Sequence, residues 1–323
     1  MDVHSRDVYS LFSLLLSLLL VSSSLPSPTV SASVACHPDD KKALLSFKNS
    51  LKISETFPYT PWNPDTDCCG WAYVTCDPNT NRVAKLQIYM ATIFGQIPAG
   101  IGDLVYLETL VMSILNNVDL PGSIPDSFTK LQNLKTLDIS WTPLSCRIPE
   151  FLGHLKSLEY LDLSHNHLYG PIPSSLANLK NLKHLRLSEN KLSGRIPNSF
   201  RARHSNVQLI DLTYNKIAGD ASMFLRDSGK ARWILLSGNR LKFDMSKVRF
   251  PKNLTALYLA HNRIRGRIPE KITKLALPDA LDVSYNRLCG RIPVGGKLQK
   301  FIPSWFIHNR CLCGAPLPDK CKS

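Results

Sequence analysis

A stretch of sixteen residues recurs along this chain at a spacing of 24. Leu134-Lys135-Thr136-Leu137-Asp138-Ile139-Ser140-Trp141-Thr142-Pro143-Leu144-Ser145-Cys146-Arg147-Ile148-Pro149 is echoed from Leu158 to Pro173, and again from Leu182 to Pro197. Landmark asparagines continue the series at Asn166, Asn190, Asn215, Asn239, Asn262 and Asn286, with gaps of 24, 25, 24, 23 and 24. A fixed period in this range means that one small unit stacks on copies of itself, because no unit buries its apolar face alone. The period overrides the two globular domains that a length of 323 residues suggests.

Within each unit, Leu-x-Leu alternates with period two, which reads as a short strand with one face inward. The asparagine stands where the chain leaves the strand, and its amide can satisfy buried backbone groups of neighbouring turns. The glycine that follows supplies freedom at the next bend. Ile-Pro then starts an extended path that needs no backbone donor. This is the leucine-rich repeat. It predicts an α/β repeat solenoid, a right-handed superhelix with a parallel concave sheet. About nine turns are expected from Arg82 to Pro293, with a degenerate tenth. The second turn carries extra residues at Asn116-Asn117-Val118-Asp119, and the turns at Asp220-Ala221 and Asp244-Met245 lack Ile-Pro.

A stack exposes its core at both ends and needs caps. Eight of the nine cysteines gather there: Cys36, Cys68, Cys69 and Cys76 near the start, and Cys289, Cys311, Cys313 and Cys321 near the end. Two even clusters predict disulfides within each cap; zinc is the lesser reading, because paired CxxC knuckles are missing. Residues 36–81 read as the first cap, 82–293 as repeats and 294–323 as the second cap. Asp39 or Asp40 is expected to N-cap a helix carrying Leu44, Leu45, Phe47 and Leu51, with Trp62 and Trp71 over the first turn. Cys146 is the odd cysteine, expected as a free, partly buried thiol.

Residues 1–35 read as a signal peptide. The apolar run Leu11–Val21 is too short for a bilayer, which needs about 20 residues, and small residues follow, with cleavage expected near Ala32 or Ala35. Its removal takes one arginine and two aspartates and raises the net charge from +14 to +15. A charge of that size calls for a polyanionic partner. Secretion disfavours nucleic acid and favours an acidic polysaccharide.

Trp62-Asn63-Pro64-Asp65-Thr66-Asp67-Cys68-Cys69-Gly70-Trp71, the run Gly102–Leu110, Gly219-Asp220-Ala221-Ser222, the run Phe243–Val248, and Cys311-Leu312-Cys313-Gly314-Ala315-Pro316-Leu317-Pro318 together resemble plant polygalacturonase-inhibiting proteins. The likeness covers nearly the whole mature chain and extends to the irregular turns. It implies the pairs Cys36–Cys68, Cys69–Cys76, Cys289–Cys311 and Cys313–Cys321. It also implies a secreted protein of the plant cell wall that inhibits microbial or insect polygalacturonases, fungal ones foremost, in plant defence. Departures are Cys146 in place of glycine, a longer second turn, many arginines, and a single glycosylation sequon at Asn253-Leu254-Thr255.

Asp162, Ser164 and His165 invite a catalytic reading, but Asp138/Ser140, Asp211/Thr213 and Asp282/Ser284 repeat it at the same phase. A feature of every few turns belongs to a face rather than to one active site, so no enzyme activity, cofactor or metal site is expected. The concave face is the expected protein-binding surface. Its centre is expected at Asp138, Trp141, Asp162, His165, Arg186, Asp211, Trp233, Tyr258 and His261, a solvent-facing mix of aromatic and charged residues of the kind that recognises proteins. A second stripe is basic: Lys191, Lys216, Arg240, Arg263 and Arg287 each follow a landmark asparagine. Strands about 4.8 Å apart would stack these into a ladder of like charge, relieved by pectin. Arg147, Arg195, Arg267 and Arg291 recur just before Ile-Pro. The expectation is a monomer with no membrane span. The alternatives are a ligand-binding or signalling module, against which stands the lack of a membrane helix or kinase before Ser323, and an antifreeze protein, which the charged stripe opposes.

Overall fold

The computed structural model describes residues 35–53, 62–89, 92–113, 116–119, 122–203, 206–275 and 280–321. The signal-peptide reading, apart from Ala35, lies outside them.

Nine parallel strands form the concave sheet, one per turn: Val83–Tyr89, Thr109–Ser113, Thr136–Asp138, Tyr160–Asp162, His184–Arg186, Leu209–Asp211, Trp233–Leu235, Ala256–Tyr258 and Ala280–Asp282. Val74–Cys76 of the first cap adds an antiparallel strand at one edge. Register on this sheet keeps sequence phase. Leu161 lies opposite Leu137 and Leu185, and Leu185 opposite Ile210. Residues at one phase therefore stand in columns, and the inward column is fully buried.

The asparagines lock turn to turn. Asn190 donates to the Leu163 carbonyl of the previous turn at 2.8 Å and accepts from the Leu168 amide at 2.9 Å. Asn166, Asn215, Asn239, Asn262 and Asn286 repeat the pattern. In the third turn Thr142 takes this place and donates to Asn166 Oδ1 at 2.6 Å. The series continues to Asn309, which donates to Val283 and accepts from Leu288, so a tenth turn runs through the segment read as the second cap.

Beyond the asparagine lies a second set of strands. Tyr169–Gly170, Lys191–Arg195, Lys216–Gly219 and Arg240–Leu241 form one sheet; Arg265–Gly266, Arg287–Arg291 and Cys311–Cys313 form another. Gly170 at φ +82° makes this bend, and the Arg147 stem lies where a side chain at Gly170 would project. Cys146, at the glycine place of the third turn, is buried, unpaired and not left-handed, so a side chain is tolerated there. Burial pushes its thiol pKa up. At the second turn the strand Asn116–Asp119 pairs with Thr92–Phe94 with a register slip, where the sequence carries extra residues.

The convex side is a row of short 3-10 helices. In the first four turns and the eighth, Ile-Pro is followed by a 3-10 helix of five residues with the proline at its N-cap, as in Glu150–His154 and Ser174–Asn178; in the ninth, Ile292-Pro293 is followed by the three-residue Leu298–Lys300. Where Ile-Pro is absent they also span three, Ser222–Phe224 and Met245–Lys247. Between these two forms lies the α-helix Ser199–Arg203.

The first cap starts with the helix Pro38–Ser50, two or three residues earlier than the sequence reading places it. His37, not Asp39 or Asp40, is its N-cap, accepting from the Asp39 amide at 3.3 Å, because Pro38 fits the first helical position. Asp40 serves as the clamp to the solenoid instead. Fully buried, it accepts two hydrogen bonds from Arg82, at 2.6 and 2.9 Å, and one from the Val83 amide at 2.8 Å. Arg82 also lies over the Tyr106 ring at 4.1 Å. Trp62 and Trp71 are buried and stacked at 5.4 Å. The cysteines pair as Cys36–Cys68, Cys69–Cys76, Cys289–Cys311 and Cys313–Cys321. Asp67, in the first cysteine cluster, accepts from the backbone amides of Cys36 and Cys69, which makes it a turn cap.

Candidate docking face

The concave surface presents an edge column and a central column. The edge column holds the residue just before Thr142 and before each ladder asparagine: Trp141, His165, Glu189, Tyr214, Gly238, His261, Tyr285 and His308. All eight adopt left-handed φ, between +51° and +69°. This backbone lets the chain turn sharply out of the strand and swings these side chains clear of the sheet, so Trp141 and Tyr214 are 55% and 56% exposed. Trp141 stacks on His165 at 3.5 Å, and Tyr285 is sandwiched between His261 at 4.1 Å and His308 at 4.2 Å. The Tyr214 ring lies where a side chain at Gly238 would stand, so the glycine makes room for it.

The central column is charged in the middle turns, apolar and aromatic in the next two, and acidic again at the last: Asp138, Asp162, Arg186, Asp211, Leu235, Tyr258 and Asp282. Here the structure corrects the sequence reading. Asp162 and Asp211 do not face solvent; both are buried. Asp162 accepts from the Ser164 amide and hydroxyl at 2.9 and 2.6 Å and from the Tyr160 hydroxyl at 3.0 Å, and pairs with Arg186 at 3.4 Å. Asp211 accepts from Thr213 and from the Ser188 hydroxyl of the previous turn. The recurrent Asp-x-Ser/Thr is thus a side-chain turn that ends each strand, with the carboxylate taking the amide two residues on. Asp138 and Asp282 do the same for Ser140 and Ser284. His165 faces Trp141 rather than bridging Ser164 and Asp162, so these three residues, set aside as a catalytic group on the sequence, are not arranged as a proton relay.

Burial, with the neighbouring Asp162 charge, holds the Asp138 carboxyl above its ordinary pKa. Burial, with Lys183 and Arg186 nearby, holds His184 below its own. The result is an acidic, partly dehydrated centre in the third to sixth turns. Beside it Trp233, Leu235, Leu209 and Tyr258 give a half-buried apolar patch, with Arg232 over the Trp233 ring at 5.0 Å. Of the nine residues expected to form the docking centre, seven present surface here; Asp162 and Asp211 hold that surface in shape. His308 was outside the expected set. The signal was Asn309, 23 residues beyond Asn286, which extends the period into the cap.

The basic stripe is also rearranged. Lys191, Lys216, Arg240, Arg263 and Arg287 are all exposed, and among the described residues none forms an ion pair. But the second set of strands is staggered by two residues per turn. Lys191 lies opposite Tyr169, Lys216 opposite Ser193, and Arg240 opposite Ala218. The five cations form a diagonal row rather than a direct ladder, which eases their mutual repulsion. Only Arg287 meets another cation in register, Arg265.

The chain matches the family model for the leucine rich repeat N-terminal domain over residues 37–77, and those for the leucine rich repeat over 114–168, 181–202 and 253–275. It is 49% identical to a protein of Vitis vinifera named polygalacturonase inhibitor, over 98% of this chain and 100% of that one. It is 51% identical to polygalacturonase inhibitor 1 of Arabidopsis thaliana, over 89% and 93%. Among solved structures, a plant ice-binding protein aligns with TM-score 0.74 and 40% identity, covering 88% of this chain and 98% of that one. No helix among the described residues is long and apolar enough to cross a membrane.

Proposed function

We infer the function from one premise: this chain belongs to the polygalacturonase-inhibitor family of leucine-rich-repeat proteins. It inhibits polygalacturonases in plant defence and is not itself an enzyme. Family membership at about half identity over the full length carries this reading. The concave face supplies the means. Trp141, His165, Arg186, Trp233, Tyr258 and His261, with Asp138, present aromatic and charged groups on a rigid sheet, the make-up of hot spots in protein interfaces. Rigid columns lose little side-chain freedom on binding. The enzyme docks there and its substrate is obstructed.

The finer reading is an extracellular monomer held in the cell wall. Lys191, Lys216, Arg240, Arg263 and Arg287 meet the carboxylates of de-esterified pectin on a surface apart from the docking columns. Asn253 is exposed and serves as the glycosylation site. Ice binding, the activity named for the structural neighbour, is less well supported, because five exposed cations interrupt any flat uncharged array. A panel of fungal, bacterial and insect polygalacturonases, assayed with purified mature protein, tests the main reading. Inhibition of at least one member is expected. Thermal hysteresis without any inhibition would replace it.

A further inference from the structure

The two turns without Ile-Pro leave a defect on the convex side. The 3-10 helix Ser222–Phe224 is too short to cover the flank of the helix Ser199–Arg203, and a cleft of about 170 Å³ opens between them. Its floor is core: Phe200, Val207, Met223 and Phe224 are buried, and the two phenyl rings meet edge-on at 6.2 Å. Its rim carries Arg201, Arg226 and Lys230. A second lobe of about 300 Å³ shares Arg201, Met223 and Arg226 with the first and adds Lys247 and Arg249. Among the described residues lining either lobe the one acid, Asp227, is already paired with Arg249 at 3.4 Å. Arg226 is held in place by donating to the Arg201 carbonyl, and Lys230 by donating to Asn206 at 2.9 Å.

We propose that this convex cleft binds a small aromatic acid, with its ring on the Phe200–Met223–Phe224 floor and its anionic group between Arg201, Arg226 and Lys230. Three observations select that chemistry. A cavity of about 150 Å³ holds one benzene ring, so the first lobe is large enough for one. The rim cations outnumber acids, and the only acid is neutralised, so an anion is favoured over a neutral ligand. A sugar would set hydroxyls against buried phenyl and thioether groups with no partner to bond, a loss that an aromatic ring avoids. The site is separate from the concave columns and from the diagonal row of cations, and does not rest on the inhibitory reading.

The test uses purified mature protein, with 4-hydroxycinnamate as the probe and 4-hydroxycinnamyl alcohol as its uncharged counterpart, followed by calorimetry and saturation-transfer NMR. The acid is expected to bind with a Kd on the order of 1 mM or tighter, and the alcohol much more weakly. Arg226→Gln with Lys230→Gln is expected to weaken the acid about tenfold. Ser228→Trp, which fills the mouth from an exposed rim position, is expected to abolish binding. Equal binding of acid and alcohol overturns the proposal, as does no binding of the acid at about 10 mM. So does undiminished binding by variants that keep the wild-type melting temperature. If the double variant fails to fold, Ser228→Trp and the acid–alcohol comparison decide the matter.

Discussion

The concave sheet and the staggered strands beyond the asparagines are built from the same turns, yet they treat sequence phase differently. On the concave side Leu161 meets Leu137 and Leu185, so a column in the sequence is a column in space. Beyond the asparagine, Lys216 meets Ser193 rather than Lys191, so equal phases drift diagonally. The first arrangement concentrates charge and ring stacking: Asp162 with Arg186, Trp141 on His165, Tyr285 between two histidines. The second spreads like charges apart. A solenoid can therefore carry a face of stacked columns and a second face of dispersed cations on one chain. The asparagine is the joint between them.

Breaking the joint should have the largest effect. Asn215→Ala leaves the buried Leu192 amide on one side without its acceptor, and on the concave side strips the buried Leu187 carbonyl of its 2.9 Å donor, leaving it only the longer 3.3 Å bond from Asn190. The expected cost is about 3 kcal/mol, read as a drop in the urea midpoint of unfolding. A loss below about 0.5 kcal/mol, the size of an ordinary surface change, would mean that the asparagines do not couple the two sheets.

The next test separates the faces. Replacing Lys191, Lys216, Arg240, Arg263 and Arg287 by Gln should abolish most binding to immobilised polygalacturonate and leave enzyme inhibition and stability nearly unchanged. Each contact is worth about 0–1 kcal/mol, but a row acts multivalently. Wild-type binding should fall steeply with salt, since the Debye length is about 8 Å at physiological ionic strength. Binding that ignores salt, or that survives in the variant, would make the diagonal row a solvated edge.

Much of this was legible in the sequence. Period and phase located every concave strand, because a direct register converts spacing into position. The same arithmetic misjudged the basic row, because backbone pairing rather than sequence phase sets a stagger. It also misjudged Asp162 and Asp211. An aspartate at an outward phase reads as exposed, and only the turn that follows the strand shows that neighbouring amides and hydroxyls enclose it. The convex cleft left a trace in the missing Ile-Pro of the sixth and seventh turns, but a gap in packing has no residue of its own to announce it.

A smaller effect sharpens the edge column. Glu189 holds φ +53°, a conformation that suits glycine, and is exposed. Glu189→Gly should stabilise the fold by about 1 kcal/mol; a loss of similar size would show that its side chain is needed on the face.

Smaller still is the effect of pH at Asp138. Burial, then Asp162, raises its pKa above the ordinary 3.8, so the folded chain binds this proton more readily than the unfolded chain. The stabilisation from this group is present in acid and is lost as pH rises through the folded-state pKa. Asp138→Asn should therefore flatten the stability–pH curve just above 3.8 and leave the variant slightly more stable at neutral pH. An unchanged curve would mean that Asp138 is solvated like a surface acid.

The most direct test of the docking account is an inhibition titration of one susceptible polygalacturonase with single alanine variants at Trp141, Trp233, Tyr258 and His261, set beside the five-Gln variant. At least one concave change should raise the inhibition constant about thirtyfold, equivalent to about 2 kcal/mol, at an unchanged melting temperature, while the five-Gln variant inhibits like wild type. Full inhibition by all four concave variants, or its loss in the five-Gln protein alone, would contradict the account and move the docking surface off the concave sheet.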